Sequence, residues 1–125
     1  MNFAYTILYV DDVAATLEFY TRAFGFERQM LHEAGDYGEL KTGTTTLAFA
    51  SRQMLIDMGK SPTAPGNPTF EIAFTTDDVA AAVDRAVAAG AQLIDAPQQM
   101  PWGQTIAYVS DNSRFLVEIC TPIGQ

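Results

Sequence analysis

Glu118 interrupts Phe-Leu-Val-Glu-Ile-Cys, residues 115–120, a run in which every other member is apolar. A carboxylate in such a place needs a hydrogen-bond donor, a cation or a wet cavity, because burying it bare is costly. Glu71 repeats the situation in Thr-Phe-Glu-Ile-Ala-Phe, residues 69–74. Two glutamates lining one pocket open two chemistries. They can hold a hard divalent cation through oxygen ligands. They can also share a proton, which makes Glu118 the candidate general acid or base. Aromatic residues supply candidate walls for the same pocket. Pro101-Trp102-Gly103-Gln104 carries the single tryptophan at a strand entrance, with Gln104 able to orient a polar group. Tyr5, Tyr9 and Tyr37 add further aromatic surface. The candidate ligand-binding set is therefore Tyr5, Tyr9, Tyr37, Glu71, Trp102, Gln104 and Glu118. No metal is expected; if one binds, Glu71, Glu118 and Tyr5 are its candidate ligands.

Other chemistries find little support. His32 is the single histidine, so one chain cannot supply a two-histidine, one-carboxylate iron or zinc site. It lies beside Glu33 on an expected strand and reads as structural or exposed. Cys120 is the single cysteine, which rules out an internal disulfide and fits a reducing cytoplasm. It reads as a small buried thiol. There is no nucleophile elbow, glycine-rich phosphate loop or Cys-x-x-Cys pair. Net charge is −8, with seven Lys plus Arg against fifteen Asp plus Glu. That balance lacks the basic footprint of nucleic-acid binding and favours cationic partners over anionic ones. Apolar stretches are too short to cross a bilayer. The start, Met1 to Tyr5, has no basic region and reads as the approach to a strand, so no signal peptide is expected.

The elements that must position these residues come twice. Residues 11–15 read Asp-Asp-Val-Ala-Ala, and residues 77–81 read the same. Each copy follows an apolar run, 5–10 or 70–76, and opens an amphipathic helix ending at Gly25 or Gly90. Asp12 and Asp78 are suited to cap these helices. Val13, Leu17, Tyr20 and Phe24 recur at helical spacing, as do Val79, Val83, Ala86 and Val87. Gly25 and Gly90 stand where a left-handed cap residue belongs. Three strands are expected after each helix: about 26–33, 36–42 and 45–50, then about 91–95, 104–110 and 114–120. Pro, Gly and polar residues make 57–69 a linker. Met54, Leu55 and Met58, at its edge, are candidate pocket covers or ordinary core contacts. The expectation is one domain over 1–125. Module one takes about 1–56 and module two about 70–125.

Alternation sets the faces. Thr6, Leu8 and Val10 share one side of the first strand; Tyr5, Ile7 and Tyr9 share the other. Ile72 and Phe74 oppose Glu71, Ala73 and Thr75. Phe115, Val117 and Ile119 oppose Leu116, Glu118 and Cys120. Helices should cover the more apolar faces. The remaining faces carry Tyr5, Ala48, Glu71 and Glu118.

These motifs resemble a known superfamily. Ile7 to Val13, Phe19-Tyr20 and Phe24-Gly25-Phe26 are similar to the vicinal-oxygen-chelate proteins, and so are Ala88 to Ala91, Pro101 to Gln104, Tyr108 to Asp111 and Leu116 to Pro122. That superfamily includes glyoxalase I, extradiol dioxygenases, fosfomycin-resistance enzymes and bleomycin-binding proteins. The resemblance spans essentially the whole chain. It implies an α+β fold: two βαβββ modules forming a U-shaped mixed sheet around a pocket, with helices outside and homodimers common. It implies metal-ligand positions at Tyr5, Ala48, Glu71 and Glu118, of which only Glu118 keeps the usual carboxylate. The last turn, Asp111-Asn-Ser-Arg, departs from the common Asp-Pro-Asp-Gly. The functional reading is metal-free binding or sequestration of a small molecule, cationic or aromatic, by a cytoplasmic homodimer. The alternative is a lyase, isomerase or dioxygenase with an atypical metal or carboxylate site.

Overall fold

Each half of the chain folds its helix against one face of its own four-stranded sheet. The structure, a computed structural model, describes residues 1–124. The chain divides into two units, Met1–Ala64 and Pro65–Gln125, a division that falls inside the expected linker. The first contains β1 (Tyr5–Val10), α1 (Val13–Phe24), β2 (Arg28–Leu31), β3 (Tyr37–Leu40), β4 (Thr46–Ser51) and a short α2 (Arg52–Asp57). The second contains β5 (Ile72–Thr75), α3 (Val79–Ala88), β6 (Gln92–Gln99), β7 (Thr105–Ser110) and β8 (Leu116–Cys120). Sheet order is β1-β4-β3-β2 in the first unit and β5-β8-β7-β6 in the second. In both, the first strand pairs parallel with the last and the remaining pairs are antiparallel. This is the expected α+β fold, with βαβββ in each unit.

Local chemistry explains the helices. The Asp12 carboxylate accepts the Ala15 N–H at 3.0 Å, and the Asp78 carboxylate accepts the Ala81 N–H at 3.0 Å. Each satisfies a helix-start donor that would otherwise go unpaired. Gly25 closes α1 at φ 79°, a left-handed conformation glycine adopts without a Cβ penalty. Ser51 caps α2 by accepting the Met54 N–H at 3.3 Å, so the segment before the linker is a helical turn. There Leu55 is buried against β4, while Met58 is exposed. Arg52 then ties the following segment back. Its guanidinium donates to Asp11 Oδ1 at 2.9 Å, Tyr9 O at 3.2 Å and Thr63 O at 3.3 Å.

The cores follow the alternation. Leu8 and Val10 are buried, as are Val13, Leu17 and Tyr20 of α1, whereas Tyr5, Ile7 and Tyr9 are exposed. Tyr20 packs on Phe49 of β4, with ring centroids 5.0 Å apart. Gly38 lets α1 approach β3, because a Cβ there would stand 2.6 Å from Leu17 Cδ1. In the second unit Val79, Val83 and Ala86 of α3 are buried with Val109, Val117 and Ile119. The strand expected over 91–95 runs instead to Gln99, through Pro97 and two register shifts. Edge position makes this possible, since an outer strand tolerates a missing donor.

Candidate functional site

The second unit gathers carboxylates on the sheet face opposite α3. Strand register places Ala73 beside Glu118 on β8 and Tyr108 of β7 on its other side. Glu71 precedes β5 by one residue, and Asp95 of β6 pairs across to Tyr108. The Tyr108 hydroxyl donates to Glu118 Oε1 at 2.9 Å. Glu118 thus has the partner its apolar surroundings demand. Burial first, then the bond to Glu118 and the charges of Glu118 and Glu71, push the Tyr108 phenol well above its usual range. Tyr108 is therefore a fixed proton donor at neutral pH, not a base.

Above this group lies an open hollow of about 440 Å³. Pro68, Phe70, Ile94 and Leu116 form its apolar walls, with Glu71, Asp95 and Tyr108 as polar ones. The Phe70 and Phe115 rings stand 6.1 Å apart. Glu118 does not line the hollow; it reaches it through the Tyr108 hydroxyl. Among the described residues, neither Glu71, Asp95 nor Glu118 enters an ion pair.

The other expected residues are distributed as follows. Trp102 is 64% exposed, and its indole N–H donates to Gln104 Oε1 at 3.0 Å. The Gln104 amide in turn donates to Thr121 O at 2.7 Å. Both ends of Gln104 are thus committed to tying the turn before β7 to the end of β8, away from the Leu116 end where the hollow opens. Cys120 is buried, its thiol 3.7 Å from Phe74 O. Burial and, next, Glu118 push its pKa up to about 11, with the Gln104 amide opposing.

Tyr5, Tyr9 and Tyr37 belong to the first unit. Register puts Tyr9 and Tyr37 on either side of Ala50, and Ile7 and Glu39 on either side of Ala48. The Tyr37 hydroxyl donates to Glu39 Oε2 at 2.8 Å. Burial foremost, then Glu39 and nearby Tyr5, raise its pKa to about 12. Each unit therefore builds its own tyrosine–glutamate pair. His32 lies just past β2 in the turn to β3, not on a strand as expected: its N–H still donates to Tyr37 O at 3.0 Å, but its carbonyl accepts the Gly35 N–H of the turn at 2.9 Å. Its Nδ1 is 3.4 Å from Asp36 Oδ1, and its ring is 5.6 Å from that of Tyr37.

Sequence reasoning missed Tyr108, Asp95 and Phe70. A signal existed for Tyr108, since alternation along 104–110 groups it with Ile106 and Ser110. Nothing local showed which strand it would face.

Comparison with known proteins bears on this arrangement. The family model described as Glyoxalase/Bleomycin resistance protein/Dioxygenase superfamily matches residues 2–119. A probable lactoylglutathione lyase of Vibrio cholerae is 29% identical, over 92% of this chain and 86% of that protein. An uncharacterised protein of Mycobacterium bovis is 30% identical, over 83% of this chain and 72% of its own length. Among solved structures, a glyoxalase-related enzyme from Fulvimarina pelagi superposes with a TM-score of 0.84 at 26% identity, covering 98% of this chain and 88% of the other.

Proposed function

The chain belongs to the glyoxalase/bleomycin resistance protein/dioxygenase superfamily, and we propose that within it this protein binds or sequesters a small molecule without a metal. The observation that carries the reading is the hollow of the second unit, where carboxylates and a locked phenol meet apolar walls. Mixed lining of this kind, with few polar groups among apolar ones, is the usual make-up of a ligand site.

Donor chemistry supports the metal-free part. Members of this superfamily often use a divalent metal. Among the described residues no three His, Cys, Asp or Glu side chains gather to hold one. Glu118, the ligand position with the family's usual carboxylate, is engaged by Tyr108. The residues present do not fit such a metal. A homodimer in a reducing cytoplasm is part of the same proposal, checked by sedimentation at micromolar concentration. Among the described residues, no helix is long and apolar enough to cross a membrane.

The test is a ligand screen by saturation-transfer NMR on the wild type and on Leu116→Trp, which projects an indole into the hollow from its apolar wall. Hits that vanish in the variant, persist with chelator, and leave the folded spectrum intact are the expected result. Binding abolished by chelator, or a tight stoichiometric divalent metal, overturns the metal-free reading in favour of a lyase, isomerase or dioxygenase.

A further inference from the structure

Charge in the second unit is lopsided. Residues 65–125 hold seven acids and two bases, Arg85 and Arg114. Glu71 and Asp95 line the same hollow, and Glu118 stands behind Tyr108. Like charges held together with no paired cation create a negative potential that draws a cation from solution. The walls decide which kind. A bare Mg²⁺ or Ca²⁺ needs about six oxygen ligands, whereas Pro68, Phe70, Ile94 and Leu116 offer apolar surface. An organic cation matches both halves of the lining. Its body removes apolar wall from water, and its charge meets the carboxylates. A quaternary ammonium would be served by aromatic faces alone. Glu71 and Asp95 are hydrogen-bond acceptors only, so they reward a head with N–H donors.

We infer that the hollow seats a primary ammonium ion on an aromatic or apolar body, its head between Glu71 and Asp95 and its body against Phe70, Ile94 and Leu116. The inference rests on the binding reading above and names its ligand class. Tyr108 is the positioning residue here: with its hydroxyl held by Glu118, its ring stays at the floor of the seat.

The experiment is an isothermal and ¹⁵N-NMR titration with four kinds of probe at neutral pH. These are 2-phenylethylamine, neutral 2-phenylethanol, anionic 3-phenylpropionate, and MgCl₂ or MnCl₂ alone. The amine is expected to bind at least about tenfold more tightly than the alcohol, the worth of one charge-assisted hydrogen bond in an open site, and the anion not at all. Glu71→Gln and Asp95→Asn should each weaken the amine about threefold, as exposed pairs do, and added salt should weaken it further. Both side chains are exposed, so the amides should fold normally. Alcohol or anion binding as tightly as the amine, and lost in Leu116→Trp, overturns this inference while leaving the binding proposal standing. Saturable shifts at the hollow with Mg²⁺ or Mn²⁺ alone overturn it in favour of a metal seat. Failure of any probe to bind, together with an empty screen, overturns both.

Discussion

Tyr108→Phe removes one oxygen and leaves Glu118 half-buried without its donor. A hydrogen bond to a charged acceptor contributes roughly 1.5–3 kcal/mol, and water can partly replace this one, so the expected loss is about 1–2 kcal/mol. For a chain of this size each kcal/mol moves Tm by roughly 3–6 °C, between the values for smaller and larger domains. The partner substitution sharpens the test. Glu118→Met in the same chain removes the orphaned acceptor, so the double variant should recover about 1 kcal/mol relative to the sum of the singles. Alkali gives an independent readout. The native Tyr108 phenol titrates above its unfolded value of 10.0. Its contribution is therefore complete below pH 10 and is lost as pH rises toward the native pKa. The slope is up to about 1.4 kcal/mol per pH unit for the one group, less in proportion to its solvent contact. Urea denaturation from pH 8 to 11 should show a steep fall in the wild type and a shallower one in Tyr108→Phe. Strictly additive single variants, or identical alkaline slopes, would refute the claim that this phenol holds the carboxylate.

Three further outcomes follow from the fold. Gly38→Ala places a Cβ 2.6 Å from Leu17 Cδ1, 3.1 Å from Val13 Cγ1 and 3.2 Å from Met30 O; Leu17 is buried and cannot withdraw freely, so calorimetry should show a loss of about 1–3 kcal/mol. Arg114 holds φ 72° in the turn before β8, and Arg114→Gly should stabilise by about 0.5–1 kcal/mol, relief of left-handed strain less the extra freedom of the unfolded glycine. Cys120 is 3% exposed with its pKa near 11, so a thiol-specific disulfide reagent at pH 8 should leave the native protein unmodified and titrate one thiol in guanidinium; rapid native reaction would contradict the burial.

The repeat at Asp11 and Asp77, the two aspartate caps and the face alternation were legible because each is local. A cap needs only the next three residues, and alternation needs only the pleat. Short α2 was not legible, since Ser51 and one turn of mixed residues resemble the start of a loop. Extension of β6 through Pro97 was not legible either, because a proline argues against a strand until its edge position is known. Glu118 stood out from its apolar neighbours, yet its donor lies ten residues away on another strand. Trp102 and Gln104 show the same dependence on distant partners. Their types fit a pocket wall, but the nearest partners of Gln104 are Trp102 and the Thr121 carbonyl.

The sequence by itself determined the duplicated βαβββ plan, the faces that helices cover, and the need of Glu118 for a partner. Those depend on residue type and periods of two and 3.6. Tertiary structure decided that Tyr108 is that partner, that Asp95 joins Glu71 at the hollow, and that Tyr37 makes its own pair with Glu39. These choices belong to strand register, which a one-residue slip would reverse and which is set by packing across the whole sheet.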